Sequence, residues 1–174
     1  MSFRNFLFVA VATMVLCGCG IKRQSIRDTA SIPDGSGVMV ARIVFVQRNA
    51  VGNEPIPALT AIKKTNLTVA SLIWQLQPGE SFSVMTLPAG AYTWRGLYVG
   101  GRYSEFRNLM PFEVRAGKIN YVGDIIVSLD WSDLRHYGMR VRNNQTTSES
   151  YLHSIYPQLS AHYPIIASVT QDAR

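Results

Sequence analysis

Val38-Met39-Val40-Ala41-Arg42-Ile43-Val44-Phe45-Val46 decides the fold class, because a single polar side chain, Arg42, interrupts an otherwise unbroken apolar run. A strand that is apolar on both sides belongs in the middle of a sheet with both faces covered, as in a sandwich. Period-two segments follow at Leu59 to Lys63, Val69 to Leu76, Ser81 to Leu87, Ala91 to Val99, Arg102 to Phe106, Pro111 to Arg115, Lys118 to Leu129 and Tyr137 to Arg142. Turn signals separate them: Gln77-Pro78-Gly79-Glu80, Pro88-Ala89-Gly90, Gly100-Gly101 and Arg115-Ala116-Gly117-Lys118. Short strands joined by such turns predict an all-β protein, an antiparallel sandwich, with an open barrel as the alternative. One helix is expected, over 147–156. Thr146-x-x-Glu149 has the capping-box pattern, Tyr151, Leu152, Ile155 and Tyr156 form an apolar stripe, and Pro157 ends the run. Ile165 and Ile166 read as buried, and Thr170 to Arg174 as frayed.

The chain has 174 residues, 47% of them hydrophobic and 16% charged, which suits one folded domain and not a disordered tail. Seventeen Lys and Arg against 11 Asp and Glu give a formal charge of +6. The basic residues stand singly and not in blocks, which argues against a nucleic-acid partner.

Residues 1–18 have the layout of a signal peptide: one cation, Arg4, then an apolar run from Phe6 to Leu16. The run is short of the ~20 residues a membrane-spanning helix needs. Leu16-Cys17-Gly18-Cys19 resembles the lipobox of bacterial lipoproteins, with Cys19 in the register of the modified residue and Cys17 out of it. The alternative is an ordinary secretory signal followed by a chance cysteine. Cleavage before Cys19 would leave one cysteine and no intramolecular disulfide. The resemblance implies a diacylglycerol and an N-acyl lipid on Cys19, no other cofactor, and, with Gly20 where Asp would signal inner-membrane retention, an outer-membrane address. Several acyl chains hold a protein firmly where one does not, each buried methylene adding ~0.8 kcal/mol. Residues 19–36, which include Pro33-Asp34-Gly35-Ser36, then read as a lipidated cysteine and a flexible tether, with 37–174 the sandwich domain.

Pro78-Gly79-Glu80, Leu87-Pro88-Ala89-Gly90-Ala91-Tyr92 and Phe112-Glu113-Val114-Arg115-Ala116-Gly117-Lys118-Ile119-Asn120-Tyr121-Val122-Gly123-Asp124 carry a second resemblance. Together they are similar to a class of bacterial outer-membrane lipoproteins whose domain is a transthyretin-like or carboxypeptidase-regulatory-like β-sandwich. The likeness runs over Gly37 to Leu129. It implies a fold and says little of activity, because this fold hosts unrelated functions.

Catalytic and metal signatures are sparse. His136, His153 and His162 lack metal-ligand spacing, and no G-x-S-x-G or phosphate-binding glycine loop occurs. Asp124, Asp130 and Asp133 form the densest acidic group, but without the glycine and terminal Glu of a calcium loop. A two-residue turn at Gly100-Gly101 would set Val99 against Arg102, Tyr98 against Tyr103, Gly96 against Glu105 and Trp94 against Arg107. Tyr92, Trp94, Tyr98, Tyr103, Glu105 and Arg107 would then share one face, a candidate binding patch for a glycan or a protein. The other reading packs Trp94 and Tyr98 into the core, with Arg107 over the indole. The expectation is a non-enzymatic outer-membrane lipoprotein, lipid-anchored, facing the periplasm or the cell surface, that binds or scaffolds an envelope partner. An accessory lipoprotein of an envelope secretion machine is the alternative, and an enzyme acting on cell-wall material the third reading.

Overall fold

The computed structural model describes residues 24–29, 31–64 and 69–170, so the leader and Cys19 lie outside the described residues. Its elements are β1 (Gln24–Ser25), β2 (Ser36–Arg48), β3 (Ala58–Lys64), β4 (Val69–Gln75), β5 (Gly79–Pro88), β6 (Gly90–Val99), β7 (Arg102–Val114), β8 (Ile119–Asp130), β9 (Tyr137–Arg142), α1 (Gln145–Ile155), α2 (Pro157–His162) and β10 (Ile165–Ala167). One sheet runs β1-β5-β2-β8-β10, with β9 pairing the rest of β8, and the other runs β4-β3-β6-β7. The protein is an all-β sandwich with short C-terminal helices.

The apolar run in β2 has two covers. Met39, Ala41, Ile43 and Phe45 point between the sheets, where they meet Leu59, Leu72, Trp94, Leu97, Ile125 and Val127. Val38 and Val40 point the other way, into a second core with Ile119, Leu152 of α1 and Leu159 of α2. The helices therefore make a third layer over half of the sheet, and this is why both parities of β2 are apolar. Past their edge the outward positions of β2 turn to Arg42 and the exposed Val46.

The sandwich is not wholly antiparallel: β2 lies parallel to β8, from Val38 opposite Ile119 to Arg48 opposite Asp130, and β10 is parallel to β8 as well. A hairpin reading pairs neighbours in sequence and cannot see a partner some 80 residues away. Arg102 to Phe106 and Pro111 to Arg115, read as two strands, are one bent strand, β7. The helix begins earlier than the capping box proposed: Asn144 is the N-cap residue, with no side-chain cap, and Glu149 accepts a hydrogen bond from Gln145 instead (2.7 Å). Pro157 opens α2 as well as ending α1, since a proline at the first helical position has no N–H to leave unpaired.

The segment read as a tether is partly built into the domain. Gln24 and Ser25 pair with Thr86 and Met85 of β5, and Ile26 is buried in the second core. Asp28 Oδ1 accepts the N–H groups of Gln158 (2.9 Å) and Leu159 (3.1 Å), supplying from a distance the cap that α2 lacks locally. The chain end departs from expectation too. Ile165 and Ile166 are half-buried, whereas Thr170, read as frayed, is buried and donates its N–H to Val122 (3.0 Å).

Candidate functional site

The β6–β7 hairpin pairs as expected from Val99 opposite Arg102 to Gly96 opposite Glu105, and then departs: Trp94 faces Met110 and not Arg107. Arg95 is also unpaired toward β3, whose Thr60 faces Gly96 while Ala61 faces Trp94. This bulge reverses the parity of β6. Tyr92 and Trp94 lie on the inner face, while beyond Arg95 it is Leu97 and Val99 that point inward and Tyr98 outward. Gly96 makes the approach feasible, because a Cβ there would overlap the Ser104 carbonyl oxygen.

The candidate patch is therefore divided. Tyr92 and Trp94 are core residues at 1% and 0% exposure. The Tyr92 hydroxyl donates to the Pro88 carbonyl (2.6 Å), and burial pushes its pKa up to about 12. Tyr98 and Tyr103 remain outside as a cross-strand pair, rings 5.6 Å apart, beside the Arg95–Glu105 ion pair (2.7 Å). Arg107 is not opposite the Trp94 indole, whose cross-strand partner is Met110, and it is exposed on β7. Tyr103→Ala is expected to shift the unfolding free energy by about 0.5 kcal/mol or less. A thermal melt checks this, and a large fall in midpoint would mean the ring is packed after all.

Arg107 belongs instead to an open cleft of about 720 Å³ between β7 and β9, in the size range of small-ligand sites (~300–1,000 Å³). Its apolar floor comes from Phe106, Met110, Leu129 and Met139, all nearly inaccessible. Tyr137 closes one wall, its hydroxyl donating to the Glu105 carbonyl (2.8 Å) and so tying β9 to β7. Arg48, Arg107, Arg135 and His136 bring the basic groups, and Asp130 the one carboxylate of the lining. Gly138 and Ser128, cross-strand neighbours, leave the β8–β9 surface low.

The nearby carboxylates are held by other groups. Asp130 Oδ1 accepts from Asn49 (2.9 Å), the Ser132 N–H (2.9 Å) and the Ser132 hydroxyl (2.6 Å), which hold its pKa down at about 2. Asp133 pairs with Arg135 (2.9 Å) and His136 (3.1 Å), and its pKa is likewise lowered to about 2, chiefly by Arg135. Among the described residues, Arg48 and Arg107 have no ion pair and no side-chain hydrogen bond. Asp124, the third of the acidic group, lies apart, buried with Arg42 (2.7 Å) and the Tyr121 hydroxyl (2.9 Å). Among the described residues no three His, Cys, Asp or Glu side chains converge as metal ligands.

Of this cleft the proposed aromatic patch holds Arg107 alone, while Asp130 and His136 are read from the sequence only as candidate metal ligands. The remaining lining comes from the middle of β7, the end of β2, the end of β8, and β9 with the turn into it, and no local spacing links these segments. The interior glycine of β6 was the available signal for the bulge. Compared with known proteins, the chain matches no protein-family model, no curated protein and no solved structure.

Proposed function

We propose that this chain is a non-enzymatic binding protein of the bacterial outer membrane, anchored by lipid on Cys19, with its ligand seated in the β7–β9 cleft. The observation that carries the binding role is the pair of unengaged guanidinium groups, Arg48 and Arg107, above a buried apolar floor. An apolar floor with a few convergent polar groups is the usual composition of a ligand site. The address is supported by the apolar leader and by Leu16-Cys17-Gly18-Cys19. The sandwich fold agrees with the transthyretin-like resemblance of the turn motifs, and no cofactor beyond the covalent lipid is proposed.

Cys19→Ser is expected to abolish acylation and release the protein into the soluble periplasm, whereas Cys17→Ser should do neither. Mass spectrometry of the mature N-terminus, with fractionation of intact cells, measures both. An unmodified Cys19 in membrane-free protein would overturn the anchor. The exposed Tyr98–Tyr103 pair favours a second reading, in which the partner is a protein subunit of an envelope secretion machine. Crosslinking from Tyr103 in intact cells tests it, and capture of no envelope protein would count against it.

A further inference from the structure

Resting on the binding role proposed for the cleft, we infer that its ligand carries a phosphomonoester, held between Arg48 and Arg107. The argument starts from carboxylates that stand near these arginines and yet pair with other groups. Asp130 is the cross-strand partner of Arg48, but its carboxylate is taken up by Asn49 and Ser132. Glu105, two residues from Arg107 on the same strand, pairs with Arg95 across the hairpin. Each arginine thus faces the cleft with its charge uncompensated, although an acidic neighbour is within reach along the sheet.

With Arg135 paired to Asp133 and the Asp130 carboxylate bonded to Asn49 and Ser132, two guanidinium groups of the lining, Arg48 and Arg107, are left without an ion pair among the described residues. A dianionic phosphoryl group matches that charge, while a carboxylate would meet only half of it. The planar fork of each guanidinium donates two parallel hydrogen bonds to such oxygens, which a lysine at either position would not. Phe106, Met110 and Met139 then offer an apolar surface to the body of the ligand. The group could arrive on a soluble organic phosphate or on a lipid headgroup, and both present the same terminal oxygens.

The test is calorimetric titration of the full chain in detergent with glycerol 3-phosphate, and flotation with phosphatidylcholine vesicles containing one-fifth phosphatidic acid, using Cys19→Ser protein for the vesicles. Saturable binding in either arm is expected, with the arm that responds naming the source. Arg48→Gln and Arg107→Gln should each weaken it about tenfold or more, the loss that follows from one charge-assisted hydrogen-bonding partner. Arg115→Gln, at the far end of β7 and paired with Glu113, should leave it unchanged. Three results would overturn the inference: no saturable binding in either arm, equal loss in Arg115→Gln, or acetate binding as tightly as glycerol 3-phosphate. The mass of the mature N-terminus reads the anchor separately, so a failed anchor and a failed phosphate site are distinguishable.

Discussion

Trp94→Ala should lower the unfolding free energy by about 3–5 kcal/mol, the cost of emptying the largest kind of core position. For a chain of this length each kcal/mol moves the melting midpoint by roughly 2–4 °C, so a fall of about 6–20 °C is expected. The indole is inaccessible to solvent, lies 5.0 Å from the Trp74 ring and 4.9 Å from that of Phe112, and donates its N–H to the Thr170 hydroxyl (3.1 Å). Truncation leaves a cavity and strands a buried hydroxyl. Trp94→Phe separates the two: it keeps much of the ring volume and loses the hydrogen bond, so it should cost less. A loss under about 1 kcal/mol in the Ala variant would place Trp94 outside the core and restore the undivided aromatic face.

The second large effect is expected at Asn120, at the start of β8, whose side chain is fully buried against the turn that follows β7. Its Oδ1 accepts the Arg115 N–H (2.9 Å), and its amide donates to the carbonyls of Val38 (3.2 Å), Arg115 (3.1 Å) and Lys118 (3.0 Å). One side chain of β8 thus bonds backbone groups on its parallel neighbour β2 and on the turn that precedes β8. Asn120→Ala strands the Arg115 N–H and carbonyl, while the Lys118 carbonyl still accepts the Val38 N–H (2.9 Å); at about 1–3 kcal/mol for each group left dry, a loss of about 3 kcal/mol is expected by denaturant titration. Asn120→Asp adds a pH signature. A buried carboxyl facing carbonyls is favoured neutral, so its folded pKa rises above the ordinary ~3.9. Stability of that variant should be highest at low pH and fall as pH rises above ~4, where the unfolded chain ionises first. A loss that does not vary with pH would mean that solvent reaches the site.

How far the fold was legible depended on how local each feature is. In the sheet of order β4-β3-β6-β7 two of the three pairings, β3 with β4 and β6 with β7, join sequence neighbours, and period-two patterning found these strands, whereas β3 with β6 is a longer-range pairing. The parallel pairing of β2 with β8 is set by which apolar faces fit together after collapse, and Val38 or Ile119 alone carries no mark of it. The patch failed for one specific reason. An alternation counted from Tyr92 to Tyr98 assumes a regular pleat, and the unpaired Arg95 shifts the count by one. Asn120, by contrast, stands within the Ala-Gly-Lys-Ile-Asn run that carried the transthyretin-like resemblance, and its hydrogen bonds give that motif a physical cause. The cleft was the least legible feature, since its charge pattern exists only once four separate segments meet.

The docking of Gln24 to Asp28 against the domain also sets a leash. If Cys19 carries the lipid as proposed, five peptide steps separate it from β1, at most about 18 Å of extended chain. A tether free to Ser36 would have allowed about 60 Å. The short leash leaves from the β1 edge of its sheet, and the cleft opens at the β9 edge, four strand spacings or about 19 Å across. Such a molecule would stand with one flank near the bilayer and its mouth turned away from it. Cargo would then be delivered from the aqueous side, and the soluble phosphate is the arm expected to respond.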